Sequence, residues 1–239
     1  MQGPMGARTL INGREVDYFC GCGYLGLQNH PVVRQAALAA LERYGLANSG
    51  GYGSNHPVYQ ALETAVTTTF RTEAMLYYAS GYLGNALLAQ GLRARYEHIL
   101  IDESAHYSVW DGARTSGKPI HAYRHLDADH VAELCRQIVG DGERPLLMSD
   151  GVFPVSGEIA PAPDLLAAIR PYNGLLALDD AHASGVLGPH WLGHPGSLWH
   201  PGRRLLHLPH PEQSVGRIRR FYHRQPDPHR RNREPGQRA

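Results

Sequence analysis

The chain is almost without lysine. Of its 239 residues, Lys and Arg together number 23, yet Lys118 is the one lysine. Any chemistry that depends on a primary amine therefore has a single side-chain candidate. It sits in S-G-K-P, a turn-like stretch ahead of a strand pattern. Cysteine is also scarce: the three stand at 20, 22 and 135. An odd, sparse set excludes a disulfide framework and fits a reducing compartment. Cys20-x-Cys22 lacks the further ligands at close spacing that a metal site requires. No apolar run reaches the ~20 residues of a membrane-crossing helix. The first residues, M-Q-G-P-M-G-A-R-T-L, lack the apolar core of a secretory signal. A cytoplasmic protein is the expectation. The formal net charge of +1 gives no overall pull toward nucleic acid or membrane.

That balanced charge conceals a split. Residues 1–190 carry a net of −6, whereas residues 191–239 carry +7 from ten arginines and three acids, with seven prolines. A break this sharp suggests two segments of different origin. The second shows no sustained helical or strand period, and its composition predicts a largely disordered or poorly packed tail.

Between them the chain alternates helix and strand patterns. P-V-V-R-Q-A-A-L-A-A-L-E-R-Y-G begins with Pro31 in a first turn and stops at Gly45, which predicts a helix. A glycine-rich loop follows (48–57), then a helix from Val58 to Phe70, a short strand at 74–79 and a helix after Ser80. Strands are predicted at 98–102, 119–123, 144–150 and 174–180, with helices at 106–115, 127–139 and 163–172. Strands separated by helices imply right-handed crossovers and a mostly parallel sheet. The runs L-L-M-S and L-L-A-L are continuous apolar stretches of the kind buried on both faces. Ligands on such sheets gather at the C-terminal strand ends. The polar clusters fall there: S-G-Y after A-M-L-Y-Y-A, D-E-S-A-H after H-I-L-I, and D-D-A-H after L-L-A-L.

Six ordered motifs carry a more specific reading. They are Y-L-G-L (24–27) with His30-Pro31, S-G-G (49–51) with H-x-x-x-x-x-L-E (56–63), and S-G-Y-L-G-N (80–85). D-E-S-A-H-Y-S-V-W-D-G (102–112), D-G-V-F-P-V-S-G-E-I-A-P (150–161) and D-D-A-H-x-x-G-V-x-G (179–188) follow. At this spacing the chain resembles the α-oxoamine synthases, pyridoxal-phosphate (PLP) enzymes of the aspartate-aminotransferase fold, from about Tyr24 to Gly188. The resemblance implies a three-layer α/β large domain over residues 24–190, incomplete here, with residues 1–23 as an N-terminal segment. It implies PLP as cofactor, an amino acid and an acyl thioester as substrates, and a homodimer. It also implies roles. Asp179 pairs with the pyridine nitrogen, His182 reaches the ring hydroxyl, His106 stacks on the ring, and Gly81 and Tyr82 offer backbone amides to the phosphate. Departures are visible. Pro154 replaces a usual Ser, and Cys22 and Gly23 replace a usual Asn-Asp.

The larger departure lies after D-D-A-H. The family continues to T-[LF]-S-K-A, whose lysine holds the cofactor aldehyde, and no such string occurs here. No catalytic residue is therefore assigned, and PLP binding is expected to be weak or absent. Back-translating His210–Gln225 and moving the frame forward by one base permits T-L-S-K-A-x-G-G-F-G-G-F-I-T-G-S. That string looks like the family's lysine segment. The reading that follows is a frameshift near His190–Trp191, with residues 191–239 out of frame and the chain an inactive fragment of an acyltransferase. Two competing readings use the tail differently. Its ten arginines could recognise nucleic acid, though in no known motif. His200, His207 and His210 could bind metal, though without partners at fixed spacing.

Overall fold

The computed structural model describes residues 6–19, 21, 23–46, 56–70, 74–78, 80–188, 193–194, 205–209 and 215–216. Cys20, Cys22, the S-G-G loop, His200 and His210 lie outside the described residues, as does most of the tail. The chain opens with a hairpin, β1 (Arg8–Ile11) and β2 (Arg14–Asp17), paired antiparallel. Its turn is Asn12-Gly13, both at positive φ (51° and 77°), the backbone that an Asn-Gly pair adopts most readily. Helices α1 (Pro31–Tyr44) and α2 (Pro57–Phe70) follow and bury no residue completely. The expected strand at 74–79 is reduced to β3, Leu76–Tyr77.

The body begins at α3 (Tyr82–Gly91) and alternates strictly. β4 (His98–Asp102), α4 (Tyr107–Arg114), β5 (Ile120–Tyr123) and α5 (Ala128–Ile138) come first. β6 (Pro145–Asp150), α6 (Ala162–Ile169) and β7 (Leu175–Asp180) complete it. The strands pair in parallel in the order β5-β4-β6-β7, with one further strand on the free side of β7. Period-two alternation sorts their side chains into two cores. Ile99, Ile101, Leu146, Met148, Leu175 and Ala177 face Leu88, Val109 and Ala113 of α3 and α4. Leu100, Leu147, Leu176 and Leu178 face Val131, Cys135, Leu165 and Ile169 of α5 and α6. The result is the expected three layers. Burial in the second core pushes the Cys135 thiol up to about 11, so it acts as a small hydrophobe.

Parts of the tail depart from the expectation of disorder. β8 (Leu205–Pro209) extends the sheet parallel to β7, with Leu208 opposite Asp179 and Pro209 opposite Asp180. β9 (Val215–Gly216) pairs antiparallel with β3. His194 is buried. The physical reason is the open edge of β7. Sheet pairing is made by backbone groups, so a five-residue L-L-H-L-P run suffices to cover it whatever the surrounding composition.

Candidate functional site

The C-terminal ends of β4, β6 and β7 each carry a buried aspartate: Asp102, Asp150 and Asp179. Asp150 and Asp179 are register partners on adjacent strands. Burial alone favours the neutral acid, so each carboxylate needs donors. Asp179 accepts from Asn85 Nδ2 at 2.9 Å and from the Ala181 amide at 3.0 Å. Burial nevertheless raises its pKa, and those two bonds only partly oppose the shift. No Lys or Arg pairs with Asp179 among the described residues. Asp150 accepts from the His106 amide at 2.7 Å. Its pKa is pushed up to about 7, first by burial and then by the charges of Asp179 and Asp102, against that hydrogen bond.

A continuous polar chain links these groups. His106 is the N-cap of α4, and its Nδ1 lies 2.7 Å from Ser108 Oγ. Ser108 Oγ accepts from Asn85 Nδ2 at 3.4 Å, and Asn85 reaches on to Asp179. Asn85 stands one turn into α3, whose N-cap is Gly81. At that helix start, Leu83 and Gly84 spend their amides on the carbonyls of Ser80 and Gly81. Among the described residues, no hydrogen bond takes the amides of Gly81 or Tyr82. Gly112 allows α4 to lie against this turn, since a Cβ there would come 2.6 Å from Asn85 Cβ and 2.7 Å from the Ala86 nitrogen.

The structure thus brings four of the five expected residues, Gly81, Tyr82, His106 and Asp179, around one bonded cluster. His182 sits three residues beyond Asp179, in the loop after β7, where its Nδ1 is hydrogen-bonded to the Tyr24 hydroxyl. Tyr82 donates its hydroxyl to Asp111, and the His106 ring lies 3.9 Å from that of the exposed Tyr107, inclined to it by 38°. Pro154 lies exposed in a turn, while Phe153 beside it is buried. Asp180 belongs to the support: its carboxylate accepts from both the amide and Nδ1 of His194, each at 2.8 Å. Gly151 makes room for it, because a Cβ there would fall 1.8 Å from Asp180 Oδ1.

Lys118 is elsewhere. It precedes β5, at the opposite end of the strands from the cluster, half-buried with its ammonium 6.0 Å from the Tyr96 ring. Asn85, Ser108, Asp150 and Tyr24 belong to the site and went unassigned from sequence. All four stand inside the motifs S-G-Y-L-G-N, D-E-S-A-H-Y-S, D-G-V-F and Y-L-G-L, which were the available signal. Among the described residues, no group of three His, Cys, Asp or Glu side chains is placed to hold a metal ion.

The site thus joins a buried strand-end aspartate, a histidine linked to it through Ser108 and Asn85, and the start of α3. Residues 19–200 match the family model of the class I and II aminotransferases. The 8-amino-7-oxononanoate synthase of Pelobacter propionicus is 40% identical over 191 residues, 79% of this chain and 48% of that protein. The one from Symbiobacterium thermophilum is 33% identical over 219 residues, 90% of this chain and 56% of that protein. In structure the chain is similar to a serine palmitoyltransferase of S. paucimobilis carrying a PLP–myriocin aldimine. The TM-score is 0.78 at 22% identity, over 87% of this chain and 53% of that one. The 8-amino-7-oxononanoate synthase of Francisella tularensis gives 0.64 at 22% identity, covering 79% and 53%. The chain belongs to the α-oxoamine synthases, a PLP-dependent branch of the class I and II aminotransferase family. It spans about half the length of the curated relatives it matches.

Proposed function

We propose that this chain carries the cofactor-holding face of an acyltransferase that joins an amino acid to an acyl thioester, and that it does not turn over as written. The observation that carries the first half is Asp179. A buried carboxylate with two neutral donors and no cationic partner among the described residues is completed by a protonated pyridine nitrogen, which supplies the missing positive charge. Gly81 and Tyr82 support the same reading, since their amides remain for a phosphate at the start of a ten-residue helix. His106 would lie over the ring and His182 beside its hydroxyl.

PLP, when bound, supplies an electron sink for negative charge developing at the amino-acid Cα. The chain's own contribution is to hold the ring nitrogen protonated through Asp179. Asn85 and Ser108 keep Asp179 and His106 in fixed relation. What is missing is an amine at the site to hold the aldehyde and to move the Cα proton. Positioned acid–base catalysis alone is worth about 10²–10⁴-fold. Lys118, at the far end of the strands, does not substitute for it.

The frame reading explains the gap. The lysine codon of the +1 frame falls across codons 213–214, a few residues past Pro209, which is paired with Asp180 at the site end of the sheet. Cytoplasmic residence and a homodimer of the intact protein remain part of the proposal, as do the exact amino acid and acyl donor classes. The comparisons lend no support to nucleic-acid recognition by the arginine-rich tail. The test is expression of both frames. The shifted one should release CoA from an acyl-CoA in the presence of an amino acid and show the yellow absorbance of lysine-bound PLP. A stop codon in the shifted frame between codons 190 and 239, or turnover by the unshifted chain, would refute the reading.

A further inference from the structure

The N-terminal segment and the loop after β7 meet at a polar contact across 158 positions of sequence: the Tyr24 hydroxyl with His182 Nδ1. The two rings are 5.9 Å apart and inclined by 59°, so the contact runs through the ring edge and leaves the ring faces unstacked. A second contact keeps the segments together. Leu25 Cδ1 lies 3.3 Å from the place a Cβ would occupy at Gly185, a glycine at φ +81°. Gly185 thus gives the turn its left-handed backbone and gives Leu25 its seat.

The chemistry of the pair has a direction. A phenol with an ordinary pKa near 10 is a good donor, and an imidazole nitrogen is a far better acceptor than a phenol oxygen. Tyr24 therefore donates and Nδ1 accepts, which requires the neutral ring to carry its proton on Nε2. A hydrogen bond to one ring nitrogen commonly selects the tautomer presented by the other. We propose that Tyr24 is a positioning residue that holds His182 as the Nε2–H tautomer, so that it donates to the oxygen on the cofactor ring. This rests on the PLP reading above. A donor there matches an anionic ring oxygen; the opposite tautomer would present a lone pair and repel it. The Y-L-G-L motif then has a task at the site.

The experiment uses the full chain, ¹⁵N-labelled at histidine, with the His182 signal assigned by its loss in His182→Gln. Long-range ¹H–¹⁵N spectra at pH 8 should show His182 wholly as the Nε2–H tautomer, and a mixture in Tyr24→Phe. Because the phenol stabilises the neutral ring, Tyr24→Phe should also raise the His182 pKa by roughly 0.5–1 pH unit. PLP titrated by absorbance should bind the variant about three- to tenfold more weakly. An unchanged tautomer and pKa in Tyr24→Phe overturns the proposal whatever PLP does. A changed tautomer with unchanged PLP affinity overturns the link to the ring oxygen. If the unmutated chain takes up no PLP at millimolar concentration, the proposed donation to a ring oxygen fails in this chain, and the spectra still decide the Tyr24–His182 pair.

Discussion

Asp150 should make the folded chain less stable as the pH rises, and Asp150→Asn should remove that dependence. In the folded state its pKa is about 7, against an ordinary 3.8, chiefly because it is buried. The folded chain therefore binds a proton that the unfolded chain has already lost between those two values. The sign follows directly: the stability is fully present below about 3.8 and is lost as the pH rises through about 7. Across that whole window the loss amounts to ~4 kcal/mol, and between pH 5 and pH 8 to ~2–3 kcal/mol. Asn keeps the acceptor for the His106 amide, 2.7 Å away, and removes the ionisation. It also introduces a buried amide NH₂ in need of an acceptor, a cost of ~1–3 kcal/mol at any pH. The variant should thus be less stable than the parent at pH 5 and equal or better at pH 8. Urea unfolding of both proteins at half-unit intervals from pH 5 to 8 measures this. Two curves separated by a constant offset would refute the argument, since the carboxyl would then titrate alike folded and unfolded.

Other consequences follow from the same contacts. Gly112→Ala drives a Cβ to within 2.6–2.7 Å of Asn85 and Ala86 backbone and side-chain atoms. A loss of ~1–3 kcal/mol in urea unfolding is expected, beyond the small gain of Ala in a helix. Asn85→Leu leaves Asp179 with the Ala181 amide as its one remaining donor among the described residues. It should cost ~2–3 kcal/mol and weaken PLP uptake measured by absorbance. His125 joins Asp102 Nδ1-to-Oδ1 at 2.8 Å and Glu158 at 3.1 Å. Burial pulls its pKa down, but those two hydrogen bonds and charges outweigh burial and raise it. Its contribution should be fully present below about 6.5 and fade as the pH rises through the raised value. The stability gap between the parent and His125→Gln should accordingly shrink between pH 6 and pH 9.

The layers of the fold were legible because buried parallel strands write themselves as apolar runs, and the helices between them as periodic ones. L-L-M-S and L-L-A-L alternate between the two cores as such strands must. Asp179 and His106 stand within motifs, one where strand β7 ends and the other where helix α4 begins. Asn85 was hidden by a different circumstance. It works through a side chain 94 positions away, and no local period encodes such a partner. Asp150 stands within D-G-V-F, but its carboxylate accepts from a backbone amide, which any sequence would offer. The hairpin at Asn12-Gly13 carried a turn signal that was overlooked, because its strands are four residues long and mostly exposed. β8 was hidden by its surroundings: five residues of L-L-H-L-P among prolines and arginines carry too little pattern, and its place depends on the open edge of β7.

The central claim is that the site is a PLP site without its lysine, and that the lysine lies in the shifted frame. Borohydride reduction after incubation with PLP, followed by peptide mass spectrometry, tests it on both expressed forms. The account predicts no stoichiometric pyridoxyl adduct in this chain, and a stoichiometric one on the lysine encoded across codons 213–214 of the shifted frame. A stoichiometric adduct on Lys118, or none in the shifted protein, would contradict it.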